Sequence, residues 1–192
     1  MSLEKQTGSD RAVQFILSDV AATRDLGRVI ADSLERGAVV SLSGNLGAGK
    51  TTLVQAIGKA LGISEVISSP TFTMMNEYHS GRIPLYHFDF YRVMEMAERQ
   101  EEDLSLDLVA SEFDEISESG RALMMIEWPE YFRVEGTNYL DPVDRLHISL
   151  TTSASSGNSD DCRNVVITAT GLSSGILMSR IESKADQFRQ RL

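Results

Sequence analysis

The 192-residue chain has one cysteine, Cys162, so it cannot form an internal disulfide. Cys162 stands in the polar run SSGNSDDCRN, with no motif for redox or nucleophilic work around it, and reads as a surface loop residue. Long apolar runs are missing as well. Nothing approaches the roughly 18 residues that a membrane helix requires, and the opening MSLEKQTGSDR is polar and has no signal-peptide core. A cytoplasmic protein without membrane contact is the expectation. Basic residues are few, with 18 Lys and Arg against 28 Asp and Glu and a formal net charge of −10. That balance argues against a broad electrostatic grip on nucleic acid, which needs cations to displace phosphate counterions. The three histidines, His79, His87 and His147, show no zinc spacing. His87 reads as a core or strand histidine rather than a catalytic one. There is no G-x-S-x-G element and no internal repeat.

The chain does have apolar residues, 42% of its length, set in regular patterns. Its length suits one domain, 1–192, with flexible segments expected at 1–11 and 151–164. Val13–Leu17 alternates and suggests a strand. Ser18 or Asp19 then caps a helix over Val20–Glu35, where Leu26, Val29, Ile30 and Leu34 make a helical stripe. Ala38–Leu42 is a short β-branched run, expected as a buried strand. Leu53, Ile57 and Leu61 predict a helix over Thr52–Leu61 that Gly62 ends. Phe72–Tyr78 and Ile83–Phe88 read as strands joined by a turn at Ser80-Gly81, with Pro84 near an edge or a strand start.

Two helical pieces, broken near Ser105, are expected in Met94–Ile116. The run ALMMI, Ala122–Ile126, suits a strand covered on both faces. Leu146, Ile148 and Leu150 alternate, as do Val165, Ile167 and Ala169, and predict a hairpin with a long loop between them. A last helix follows Gly171 with Leu177, Ile181, Ala185, Phe188 and Leu192 on one face. Crossover and hairpin strands mixed with helices indicate an α/β fold, a mixed sheet flanked by helices and ending in a β-hairpin and helix. The acidic stretch Glu95–Glu118, with Arg99 as its one basic residue, is either a solvated helical face or a docking surface for a basic partner.

The sharpest signal is GNLGAGKT, Gly44–Thr51, which fits G-x-x-x-x-G-K-[ST]. Glycines let the backbone make left-handed turns and approach a phosphate closely. The N–H groups of Leu46–Thr51 are then expected to converge on a phosphate at a helix N-terminus, favoured by the helix dipole. Asn45, Leu46, Gly47, Ala48, Gly49 and Thr52 would line the nucleotide. Lys50 supplies charge toward the β/γ-phosphates, and the Thr51 hydroxyl can bind Mg2+. The bare pattern arises by chance in roughly one protein of this length in a hundred. Here it also lies between an expected strand and an expected helix, which makes it a P-loop NTPase-like element.

Binding is not hydrolysis, which also needs a carboxylate for the metal and a group that places water. Glu127 ends the ALMMI strand, on the side where ligands meet α/β sheets. It is a candidate metal ligand of Walker-B type or a plain strand-end acid. Asp89, in LYHFDFYR, is a second candidate acid or the partner of Arg92. No N-K-x-D stretch reads guanine, so ATP is the expected nucleotide. A small-molecule kinase is one rival, with Arg82, Arg92 and Arg133 too scattered to clamp a transferred phosphate. A nucleotide-gated binding module with negligible turnover is the other.

The combination GNLGAGKTT, SPTFTMMNEY, LYHFDFYR and IEWPE resembles the TsaE (YjeE) family over about Leu17–Leu150. The resemblance implies an ATPase supporting threonylcarbamoyladenosine synthesis in tRNA, working with a TsaB–TsaD transferase complex that itself meets the tRNA. It implies that Glu127 is the second Mg2+ ligand beside Thr51 and that Asp89 is the catalytically important acid. Thr71, in the segment Ser69–Thr71, would belong to a switch near the γ-phosphate. Trp128 would stand close to the nucleotide, and Val20–Thr23 near the adenine. Where the family usually has Asp, this chain has Asn45, a change expected to bear on rate rather than on binding.

Overall fold

The computed structural model describes residues 12–99, 106–152 and 162–189. Strand β1 (Ala12–Leu17) leads into helix α1 (Val20–Ser33), then β2 (Ala38–Ser43) and α2 (Lys50–Ala60). Next come β3 (Met75–Tyr78), β4 (Leu85–Asp89), α3 (Tyr91–Glu98), α4 (Asp107–Ser119) and β5 (Leu123–Glu127). A 3-10 turn over Pro129–Tyr131 precedes the short pair β6 (Arg133–Val134) and β7 (Thr137–Asn138). The hairpin β8 (Arg145–Thr152) and β9 (Arg163–Ala169) and helix α5 (Leu172–Arg189) complete the described chain.

Seven strands form one mixed sheet in the order β1-β9-β8-β2-β5-β4-β3. The four neighbours β8, β2, β5 and β4 run parallel, while β9 and β3 run against the strands beside them. All five side chains of β5 are buried, as its continuous apolar run requires. Successive residues of that strand face two different cores. Leu123 and Met125 join a cluster with residues of α1, α2 and α5. Met124 and Ile126 join an aromatic cluster with Phe88, Phe90, Phe113 and Phe132. In that second core the Phe90 and Phe132 rings stack with centroids 4.5 Å apart, and Phe113 meets Phe132 edge-on at 5.6 Å.

Local chemistry sets the start of the first helix. Asp19 caps α1 by accepting from the Ala22 N–H at 2.8 Å, a contact that contributes roughly 1 kcal/mol in such helices. The helical stripe Leu26, Val29, Ile30 and Leu34 is buried, although the helix stops at Ser33 and Leu34 is its C-cap. Helix α2 starts at Lys50, two residues before the sequence pattern suggests. The alternating pairs Leu146, Ile148, Leu150 and Val165, Ile167 all point into the core.

Three expectations change. The strand expected from Phe72 begins only at Met75. Met74 takes a left-handed φ of 61° and its N–H bonds the Pro70 carbonyl at 2.7 Å, so 71–74 is a turn and Phe72 is 84% exposed. Strand β4 starts at Leu85 rather than Ile83, which leaves Pro84 at a strand start, one of the two places expected for it, and not at a sheet edge. Pro84, lacking an N–H, precedes it and uses only its carbonyl, which accepts from Leu123 N at 2.8 Å. Helix α3 begins at Tyr91, before the expected Met94. The break near Ser105, the segment 1–11, most of the expected loop 151–164, and the positions of Phe188 and Leu192 lie outside the residues or side chains described. Among the described residues no helix is long and apolar enough to cross a membrane.

Candidate functional site

The loop that leaves β2 is shaped by its glycines. Gly44 has φ 140°, and a Cβ there would lie 2.2 Å from the Leu150 carbonyl oxygen, so no larger residue fits. Gly47 and Gly49 take φ 78° and 102° with open space where a side chain would project. Left-handed residues leading into a helix turn successive N–H groups to one concave side, the geometry that holds anions. The first backbone bond of α2 runs from Leu53 N to Gly49 O at 2.9 Å, and no side chain caps that end. The N–H groups of Lys50, Thr51 and Thr52 are therefore left without an intrahelical acceptor. This cradle fits a phosphate, which would accept from them. Leu46 at the tip is exposed, and the Asn45 carbonyl accepts from Ala48 N at 3.1 Å within the loop.

Lys50 is folded back over this cradle and is only 4% exposed. Its Nζ donates to the carbonyls of Gly44 at 2.6 Å and Asn45 at 3.2 Å and sits 3.9 Å from the centre of the Trp128 ring. Burial pushes the ammonium below its ordinary pKa, against the opposing pull of Glu127, Asp89 and Glu130. Trp128 holds a left-handed φ of 58°, stays tied to β2 through its N–H to Leu42 O at 3.2 Å, and packs beside Tyr91 and Tyr131.

Two carboxylates stand at neighbouring strand ends. Glu127 closes β5 and is 3% exposed. Its Oε1 accepts from the Thr51 hydroxyl at 2.8 Å and from His87 Nε2 at 2.9 Å. Thr51 and Glu127 thus supply adjacent oxygens at the mouth of the loop, the hard donors that Mg2+ takes when phosphate and water complete its shell. Asp89 closes β4 and is 2% exposed. Its Oδ1 accepts from Tyr91 N at 2.9 Å, and its Oδ2 accepts from the hydroxyls of Ser69 and of Thr71, the latter at 3.1 Å. Those two hydroxyls are 3.0 Å apart.

The structure thus joins Lys50, Trp128, Thr51 and Glu127 around the loop and ties Thr71 to Asp89 beside them. It does not pair Asp89 with Arg92, whose side chain is exposed; the short hydroxyl side chains of Ser69 and Thr71 reach the carboxylate instead. Val20 and Thr23 lie on the first turn of α1, where the Thr23 hydroxyl donates to Asp19 O at 3.3 Å. Among the described residues neither is hydrogen-bonded to the loop. Two contacts escaped the sequence reading, that of Ser69 with Asp89 and that of His87 with Glu127. The second had a faint signal, because His87 and Asp89 are two apart on one strand and so share a face.

Known proteins resemble this chain in sequence and in fold. Residues 17–160 match the family model described as Threonylcarbamoyl adenosine biosynthesis protein TsaE. A protein of Nostoc sp. named tRNA threonylcarbamoyladenosine biosynthesis protein TsaE is 42% identical over 141 residues, which are 73% of this chain and 82% of the relative. The protein of that name from Bacillus subtilis is 34% identical over 149 residues, covering 78% of this chain and 80% of the relative. The crystal structure of Bacillus subtilis YdiB superposes with a TM-score of 0.68 at 25% identity, covering 93% of this chain and 99% of that one.

Proposed function

The chain belongs to the TsaE family of threonylcarbamoyl adenosine biosynthesis proteins, and on that footing we propose that it is a Mg2+-dependent ATPase serving this tRNA modification. The nucleotide is ATP, and the phosphate loop Gly44–Thr51 is its site. The protein works as a single cytoplasmic domain with a TsaB–TsaD type transferase complex and meets tRNA through that complex. Its hydrolysis of ATP drives or resets a conformational step of the partners.

The observation that carries this reading is the bond of Thr51 Oγ1 to Glu127 Oε1, 2.8 Å long, at the end of a strand beside an uncapped helix N-terminus. A loop that merely turned the chain would not need a buried carboxylate next to its helical hydroxyl, because desolvating that charge is unfavourable. The residues divide the work. The loop N–H groups bind the β-phosphate. Lys50 exchanges the Gly44 and Asn45 carbonyls for phosphate oxygens, which favour its charged form more strongly than neutral carbonyls do. Thr51 and Glu127 hold Mg2+. When bound, the ion neutralises charge that develops on the phosphate oxygens. Asp89 orients the attacking water or receives its proton, and Ser69 and Thr71, which bond it, move with the segment that meets the γ-phosphate. Trp128 packs beside the nucleotide, and Val20 and Thr23 lie toward its base.

The test is calorimetric titration of the purified chain with ATP in Mg2+ and in EDTA. Saturable binding strengthened by Mg2+ is expected. Absence of binding in both buffers would contradict the assignment of the loop.

A further inference from the structure

His87 is fully buried on β4, and its ring is used on one side only. Nε2 lies 2.9 Å from Glu127 Oε1, while Nδ1 is buried and has no hydrogen-bond partner among the described residues. A carboxylate accepts, so Nε2 carries a hydrogen, and Nδ1 is shut away from water. A buried polar atom without a partner destabilises a fold. Leucine or methionine would fill the same space without that penalty. Among the described residues the imidazole's single polar contact is Glu127, so the value of the ring at this position lies in what it does to that carboxylate.

We propose that His87 is a positioning residue that locks the Glu127 carboxylate for Mg2+ by donating from Nε2 to Oε1. This rests on the Mg2+–ATP reading above and deepens it. Oε1 is held from two directions, by Thr51 on the helix side and by His87 on the sheet side. Two donors on one oxygen fix the plane of the carboxylate, which a single flexible hydroxyl would leave free to swing about its terminal bond. His87 and Glu127 sit on adjacent parallel strands, where Phe88 pairs with Ile126 and Asp89 with Glu127, so the backbone sets their separation before any ligand arrives. Groups that orient a metal ligand in this way commonly change metal affinity by about ten- to a hundredfold when removed.

The experiment compares His87→Met with His87→Gln. Gln can place its amide nitrogen near the position of the imidazole Nε2 and keep the donor, whereas Met fills the space without one. ATP affinity is measured by calorimetry across a Mg2+ series and in EDTA. The expected result is that His87→Met keeps metal-free affinity within about threefold but needs about tenfold more Mg2+ for half-maximal enhancement. His87→Gln should stay close to wild type. If His87→Met does not fold, His87→Asn serves, because its shorter amide cannot reach Glu127, and it should behave as Met is expected to. A Mg2+ response in the donor-lacking variant equal to that of wild type overturns the proposal alone, as does an equal loss of affinity with and without metal. A wild-type chain whose ATP affinity ignores Mg2+ overturns the parent reading and this proposal with it.

Discussion

Asp89 and Glu127 are register partners at the ends of the adjacent parallel strands β4 and β5, yet among the described residues they share no hydrogen-bond donor. Glu127 is bonded by the phosphate-loop threonine and a buried histidine. Asp89 is bonded by Ser69, Thr71 and the Tyr91 N–H. Two buried acids side by side but wired to different segments suit two tasks, one in binding and one in the reaction.

Replacing Asp89 by Asn separates these tasks. The amide keeps the shape and removes the charge and basicity. ATP affinity should stay within about tenfold, roughly 1.4 kcal/mol. Turnover should fall by about a hundredfold or more, as for loss of a positioned acid–base group. Equilibrium binding and single-turnover hydrolysis on one preparation decide it. A parallel fall in both would make Asp89 a binding or folding residue.

Glu127→Gln should leave the fold intact, since it is nearly isosteric and can still meet Thr51. Half-maximal turnover should then need at least about tenfold more Mg2+. A Mg2+ titration of the ATPase rate is the measurement, and an unchanged curve would make Glu127 a structural strand-end acid.

Lys50→Met tests the ammonium from two sides. Nucleotide affinity should drop by about a hundredfold or more, roughly 2.7 kcal/mol. Stability should move the other way. Burial lowers the Lys50 pKa in the folded chain, so the folded state holds the proton less well than the unfolded one. Below the folded value that penalty is present in full; it is relieved as pH rises through the folded value toward the ordinary lysine value. Removing the charge should therefore raise the Tm of the nucleotide-free chain at pH 7, by calorimetry, with a smaller gain near pH 10. A lower Tm for the variant at pH 7 would mean that the carbonyl bonds and the Trp128 contact outweigh the burial.

Trp128 is the one tryptophan in the chain and lies against the Lys50 ammonium. Nucleotide that draws Lys50 onto phosphate should change the indole fluorescence. Saturating ATP or ADP should change wild-type emission, because the cation–π contact is remade. The Lys50→Met variant should show little change at the same concentration.

The parts of this fold that could be read from sequence are those where chemistry leaves few choices. The phosphate loop was legible because Gly44 admits no side chain and Gly47 and Gly49 need left-handed backbone. Strand β5 was legible because a strand covered on both faces must be apolar throughout, and β8 and β9 because one of their faces is. The start of β3 was not. Phe72 and Met74 continue an alternating pattern that the left-handed Met74 breaks, and Phe72 ends up in solvent. Nor were the side-chain contacts of the site. Glu127 is 40 residues from His87 and 76 from Thr51, and only the pairing of β4 with β5 and the packing of α2 bring them together. The sequence named Asp89 and left open whether Arg92 was its partner. The hydroxyls of Ser69 and Thr71, carried by a turn that no periodicity reveals, hold that place instead.

The most direct test is phosphate release from ATP by the purified chain, measured alone and with the proposed partner transferase complex and tRNA, in Mg2+ and in EDTA. Mg2+-dependent release without any added phosphate acceptor is expected, faster with the proposed partners than alone, and abolished by Lys50→Met. No release above background under any of these conditions, from a chain that binds ATP, would contradict it and leave a nucleotide-gated binding module. Transfer of the phosphoryl group to a small molecule in place of water would contradict it in favour of a kinase.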